Sequence, residues 1–443
     1  MKNILFTFLA FICFQGFSQE KLTVFQAIEK ALKNNFDIQL IERNYEVSKL
    51  QNSWGQAGML PTFSINVANT ATLQDNTNNP ATFFPGVVFS DNLQPSLNMN
   101  WTVFNGFGIR INKQKFDQLE AQTKGNAIVI IENTIYDVIL AYYTAVVQER
   151  KLSVLAELLK YSKSKLNYNQ VKSNMGVGTS FDYLEFENQV YNDSSNYLLQ
   201  ELAYYNAQRN LNLILSEAPD VRYEFTDSLE FNSQETTYQE LLNKMVSNNQ
   251  NLKNQYINYE LQALNLKAKR SAYYPVVSLS LGSTPAVGYF RLFGDEGFSS
   301  STNSLTYNGS INLKYDIFQG WNRKRNTEIA AIQVDIAEIE ITQLKNNLEH
   351  QLSGFFDLYQ TRTKVEKMAL LQVGNAKKLW RLGKDKYDLG LINIFNLNDI
   401  KLAYEQAILS YYDRLFELLE SHYNLMRISG DISQEFNIPA NID

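Results

Sequence analysis

The sequence predicts an α+β protein made of two tandem copies of one unit, each running helix, strand, strand and then a hairpin of long helices. Three observations lead there. The two halves match at a single offset of 214 residues, as Gly176 and Gly390 illustrate. Four segments alternate apolar and polar residues with period two. Two long stretches without proline, from about Ile109 to Lys172 and from Arg323 to Lys386, carry coiled-coil spacing.

The first residues set the compartment. MKNILFTFLAFICFQGFSQE has Lys2, an apolar run from Ile4 to Phe14, and the small residues Gly16 and Ser18, so residues 1–18 are expected to be a signal peptide. Cys13 could instead accept a lipid, but Ile12 stands where that signal wants Gly or Ala. Cys13 is the only cysteine, so once the segment is removed no disulfide or thiolate metal site is available. After it, no run of 18 or more apolar residues is read, which leaves β-strands as the route into a membrane.

The first copy is assigned to 19–216. Leu22 to Asn34 and Phe36 to Gly58 have helical spacing, and Pro61 ends the second because the residue before proline disfavours the α region. From Thr62 the period becomes two, with Phe63, Ile65 and Val67 on one face. In the partner strand Leu93, Leu97, Met99, Trp101 and Val103 alternate with Gln94, Ser96, Asn98, Asn100 and Thr102. The long helix follows, with Ile128, Ile131, Ile135, Val138, Tyr142 and Ala145 at steps of three and four, a seam spaced to meet another helix. As one helix it would reach roughly 95 Å at 1.5 Å per residue. A turn at Met175-Gly176-Val177-Gly178 sends the chain back from Ser180.

Residues 217–235, with Pro219, Asp220 and Asp227, read as a linker to the second copy at 236–430, followed by a tail at 431–443. In that copy Val277, Leu279 and Leu281 oppose Ser278 and Ser280. Leu305, Tyr307, Ile311, Leu313, Tyr315 and Ile317 oppose Thr306, Asn308, Ser310, Asn312 and Lys314. The long helix opens with Ile329, Ile332, Ile336 and Ile339, and Asp388-Leu389-Gly390 precedes a returning helix from Phe395.

Composition removes several functions. A formal charge of -6 and a pI near 5.3 leave no basic stripe for nucleic acid, and suit anionic lipid poorly as well. His350 and His422, the only histidines, sit in helical pattern and read as satisfied or surface groups; no catalytic constellation, cofactor site or metal site is visible. Gly176 and Gly178 lack the Lys-Ser or Lys-Thr of a phosphate loop.

Four amphipathic strands leave two open edges, which lipid does not tolerate, so more than one chain must close a barrel. LTVFQAIEKALKNNFDIQL with MLPTF, the junctions WTVFNGFGIR and YDIFQGWNRKR, and the turns GVGTSFD and YDLGLINIFNLND together resemble the TolC family of outer-membrane efflux proteins. The resemblance covers essentially all of the chain after residue 18. It implies a homotrimer in which four strands per chain make a twelve-stranded β-barrel, continuous with a twelve-helix periplasmic α-barrel. It also implies an outer-membrane location in a Gram-negative bacterium, contact with outer-membrane lipid, and partnership with a periplasmic membrane-fusion adaptor and an inner-membrane pump. The implied function is passive export of small molecules or polypeptides.

Gly106 and Gly320 are expected to permit the strand-to-helix bends. By the resemblance, acidic residues after the tip turns close the tunnel. Asp182 follows Gly176 by six and matches the family acid; Asn396 and Asp399 follow Gly390, with Asn396 where exporter members have Asp. Tyr387, three before Gly390, matches a tyrosine that helps latch the helices. A helix N-terminus also favours an acid in its own right, and the two roles are compatible for Asp182. Two other classes compete. A periplasmic coiled-coil adaptor without a pore would account for the hairpins but not the four strands, and a soluble helical enzyme scaffold lacks an active site.

Overall fold

The computed structural model describes residues 20–177, 179–229, 236–295 and 297–436. The expected signal peptide with Cys13, Gly178 in the first turn, and parts of the linker and tail lie outside them. The chain divides into two compact units, each drawing on both sequence copies: 1–43, 125–253 and 343–443 form one, and 44–124 with 254–342 the other.

In chain order the elements are β1 (Glu20–Leu22), α1 (Val24–Asn34), α2 (Phe36–Gln51), β2 (Thr62–Asp75), β3 (Val87–Asn105), α3 (Gly108–Asn174), α4 (Ser180–Leu215) and β4 (Tyr223–Phe225). The second half follows with α5 (Tyr238–Asn248), α6 (Gln250–Ser271), β5 (Val276–Phe293), β6 (Ser299–Lys314), α7 (Asn322–Asp388), α8 (Ile394–Ser429) and α9 (Ile432–Glu435). The repeat is kept to the residue. Helices α3 and α7 both have 67 residues, α4 and α8 both have 36, and their starts, Gly108 and Asn322, Ser180 and Ile394, are each 214 positions apart.

The first unit has an apolar core in which Ile135, Val138, Tyr142 and Ala145 of the predicted seam are buried with Ile28, Leu211 and Leu215. One 18-residue window of α3 reaches a mean hydropathy of 1.2, enough by composition to cross a membrane. The sequence reading passed over it because a few polar residues interrupt its apolar run. Its apolar residues supply this core. A short parallel pair, β1 with β4, closes one side, and the Tyr142 hydroxyl donates to the Leu22 carbonyl at 2.8 Å. Strands of three residues leave no periodic trace in a sequence, so this pair was not foreseen.

Asn34-Asn35 recurs 214 residues on as Asn248-Asn249, and the pairs have a structural use. Asn35 Nδ2 donates to the Ile214 carbonyl at 2.9 Å, and Asn249 Nδ2 to the Ile428 carbonyl at 3.0 Å. Each thereby satisfies a carbonyl in the last turn of a returning helix, while its Oδ1 accepts from the first turn of the next one. Thr23 with Gln26 and Thr237 with Glu240 form matching capping boxes on α1 and α5.

The second unit holds a four-stranded antiparallel sheet in the order β2-β3-β5-β6. Its register puts Phe63, Met99 and Leu281 in one row and Ile65 beside Leu97; Ser64, Asn98 and Gly282 form a row on the opposite face. The predicted alternation therefore runs across the strands toward the Thr62 and Lys314 end, giving one apolar and one polar face there, while Asn69, Asp91, Arg291 and Asn303 fall on the apolar side further along. Two details differ. A bulge between Thr102 and Phe104 leaves Phe104, not Val103, opposite Val277, and β6 ends at Lys314, short of Tyr315 and Ile317. The helix expected to reach Gly58 stops at Gln51, because Ser53 turns its hydroxyl to the Gln56 amide and competes with helical bonding.

The isoleucine seam opening α7 is not buried within the chain: Ile329, Ile332, Ile336 and Ile339 are exposed, while Ala330 and Ala337 on the inner face are covered.

Candidate functional site

The two helix turns are built alike. Gly176 and Gly390 take positive φ values of 74° and 73°, which glycine adopts without a Cβ clash. Val177 and Leu391 donate to the Lys172 and Lys386 carbonyls, and each glycine N–H donates to the carbonyl three residues back, at Ser173 and Tyr387. This pair of bonds is a Schellman ending. The next helix starts at once. The Thr179 hydroxyl accepts from the Asp182 amide at 3.1 Å, and Asn393 Oδ1 from the Asn396 amide at 3.0 Å. Met175, Val177, Leu389 and Leu391 leave both turns apolar and exposed.

Asp182 sits in the first turn of α4, where its charge suits the helix dipole. The hydrogen-bonded cap, however, is the Thr179 hydroxyl; among the described residues nothing holds the Asp182 carboxylate by hydrogen bond or ion pair. That carboxylate acts on Tyr387, whose hydroxyl is pushed up, first by burial and then by the Asp182 charge. Tyr387 is half-buried near the end of α7, its ring 6.0 Å from Phe186 and 5.6 Å from the Lys165 ammonium. The structure thus brings Asp182 and Tyr387 together. Asn396 and Asp399 lie exposed on α8, where among the described residues no hydrogen bond or ion pair joins them to that pair.

Charged groups that the sequence reading passed over join the two hairpins here. Lys165 of α3 pairs with Asp388 at the end of α7, and Asn398 of α8 donates to Glu185 of α4 at 3.2 Å. Deeper, Lys401 of α8 is 1% exposed and pairs with Asp193 of α4, which is 5% exposed. Lys401 also donates to Ser162 of α3 at 3.1 Å, and Gln189 donates to Asp193 at 2.8 Å. Burial raises the carboxyl of nearby Glu405, Lys401 opposes that rise, and Asp193 adds to it. The signal was present: Ile394, Leu397 and Lys401 lie on one helical stripe, so a lysine occupied a core position. Leu155, Leu158, Phe186 and Trp380 pack with Ile394 and Leu397 in one apolar cluster.

The strand-to-helix junctions form a second predicted set. Gly106 and Gly320 have φ of 68° and 58°, and Phe107 and Trp321 after them are also positive, at 67° and 63°. Two successive left-handed residues turn each strand sharply, at a cost borne by the non-glycine member. The copies differ in surroundings. A Cβ on Gly106 would lie 2.3 Å from the Ser271 carbonyl oxygen, whereas Gly320 has open space around it.

Of the two histidines, His350 is exposed, while His422 is largely buried near Tyr359 and Tyr423 and its imidazole is pushed down to about 4 by burial. Such a group stays neutral and is a core residue.

A family model described as outer membrane efflux protein matches residues 27–217 and 241–431, two stretches that start 214 residues apart. No curated protein matches the sequence. Among solved structures, the fold is similar to CusC, at 14% identity and a TM-score of 0.74 over 92% of each chain. It is similar to the CmeC outer membrane channel of Campylobacter jejuni, at 15% identity and a TM-score of 0.74 over 94% of this chain and 89% of that one. The open state of the MtrE outer membrane channel of Neisseria gonorrhoeae follows at 16% identity and 0.70, over 92% and 88%. Likenesses at such identities speak for the fold alone.

Proposed function

Because the chain belongs to the outer membrane efflux protein family, whose members are transport channels and not enzymes, we propose that this outer-membrane efflux channel works as a passive homotrimeric conduit in a tripartite system. The observation that carries the reading is the open sheet. Its four strands have 14 to 19 residues, ample for a span that needs about ten, and one face is apolar over rows such as Trp101, Leu279 and Ile311. The outer edges of β2 and β6 have no partner strand among the described residues, and in lipid those backbone groups must be paired. Three copies would close twelve strands, with the Ser, Thr and Asn face lining water. The exposed isoleucine seam of α7 supports the same assembly, since such a surface needs a neighbouring helix.

In this reading the copies 19–216 and 236–430, joined by 217–235 and ending in the 431–443 tail, each give two strands and one helix hairpin. The apolar turns around Gly176 and Gly390 are the surface offered to a periplasmic adaptor, which links the channel to an inner-membrane pump. Asp182, Asp399 and Asn396 form the constriction, and Tyr387 latches α7 against α4. Threefold repetition multiplies each acid, so the closed pore prefers cations. The cargo is small molecules or polypeptides.

Single-channel recording in a planar bilayer tests this, before and after Asp182→Ala with Asp399→Ala. Small, cation-preferring steps that grow in the double variant are expected. No steps from trimeric, detergent-extracted protein would remove the conduit; steps indifferent to the substitutions would leave Asp182 a helix-dipole residue.

A further inference from the structure

At the end of the sheet where Thr62, Asn105, Val276 and Lys314 lie, positive charge and aromatic rings gather in a chain that is acidic overall. Arg110 and Lys113 lie at the start of α3, Lys269 and Arg270 end α6, and Arg323, Lys324 and Arg325 open α7. The helix dipole favours only the α6 pair. Cations in the first turn of a helix oppose its dipole, and neither α3 nor α7 has an acid there. Three of the four tryptophans are here too: Trp54, Trp101 and Trp321.

Of these, Trp54, Trp101 and Arg110 line a cleft of about 560 Å³ together with Met59, Phe104 and Phe107. Trp101 belongs to the apolar face, opposite Leu279, so the cleft continues the surface that the proposed barrel turns to lipid. The Trp101 indole N–H donates to the Met59 carbonyl at 2.9 Å, which holds one wall. Lys113 lies over the Trp54 ring at 5.8 Å but is held by Asp117 at 2.6 Å. Arg110 is exposed at the cleft, and among the described residues it has no carboxylate partner.

We propose that this cleft binds an anionic glycerophospholipid, its phosphate on Arg110 and its glycerol and upper acyl segments against Trp54, Trp101 and Phe107. A planar guanidinium can give a phosphate two parallel hydrogen bonds, and the aromatic walls suit the boundary between headgroup and hydrocarbon. Continuity with the lipid-facing surface and charge complementarity select a lipid over a soluble anion. The further cations of α6 and α7 add attraction from the same end of the sheet. The proposal rests on the barrel reading, because it needs this end at a membrane surface.

The test uses full-length protein in neutral detergent, titrated with phosphatidylglycerol or phosphatidylcholine and followed by tryptophan emission. Phosphatidylglycerol should bind at least about fivefold more tightly, the worth of one cation near a lipid surface. Arg110→Gln should remove about that factor and Arg110→Glu about thirtyfold. Rising salt should erode the wild-type preference, a readout that needs no variant to fold. Equal affinity for the two lipids, a preference that survives Arg110→Glu, or inorganic phosphate alone reproducing the emission change would each overturn the lipid site. Insertion into vesicles separates the premises. Protein that enters both vesicle types without lipid preference defeats this proposal only, while protein that enters neither defeats the barrel itself.

Discussion

Replacing Lys401 by Met would leave Asp193, 5% exposed, with Gln189 as its remaining hydrogen-bond donor and no cation beside it. Removing one member of a buried ion pair costs about 3–5 kcal/mol, because the other charge stays desolvated and uncompensated. Ser162 also loses its Lys401 donor, and an unsatisfied buried hydroxyl adds about 1–3 kcal/mol at most. Asp193→Leu alone should cost a similar amount by stranding the ammonium. The double variant Lys401→Met with Asp193→Leu should lie close to wild type, since replacing a whole buried pair by apolar groups of similar volume is often neutral or stabilising by about 1–4 kcal/mol. Guanidinium unfolding followed by far-UV circular dichroism would give the four stabilities. If the double variant instead loses the sum of the two singles, the residues act independently and the pair does not join α8 to α4.

Gly106→Ala and Gly320→Ala should separate the two junctions. The first meets backbone at 2.3 Å and should cost several kcal/mol, roughly 2–5, while the second meets only left-handed strain of about 1–2 kcal/mol; equal shifts in the unfolding midpoint would contradict the difference in packing. Two buried groups in the first unit should oppose each other in pH dependence. His422 is pushed down to about 4, so stability present above pH 6.5 is lost as pH falls toward 4; Glu132 is raised to about 7 by burial, so stability present below 4.5 is lost as pH rises through 7. Each is worth roughly 3 kcal/mol over its window, and between 4.5 and 6.5 the slopes offset. Glu132→Gln should therefore expose a rise in stability with pH and His422→Gln a fall; parallel profiles in all three proteins would refute both assignments.

The sequence by itself determined the repeat, the strand faces, the hairpin lengths and the glycine turns, because each is written in local periodicity or in a conformation only certain residues adopt. Asn35 and Asn249 were visible as a recurrence, but their use, closing the carbonyls of α4 and α8, depends on which helix arrives beside them. The same holds at the candidate site. Asp182 and Tyr387 were each singled out by their distance from a glycine, yet their effect on one another arises between helices 205 positions apart in sequence. Lys401 stood on an apolar stripe, and only packing supplied Asp193 and Ser162 as its partners. Tertiary structure alone decided the strand order β2-β3-β5-β6, the bulge that exchanges Val103 for Phe104, and the exposure of the α7 isoleucines. Periodicity states which face of an element must be covered, while the identity of the covering element depends on long-range packing that no local window contains.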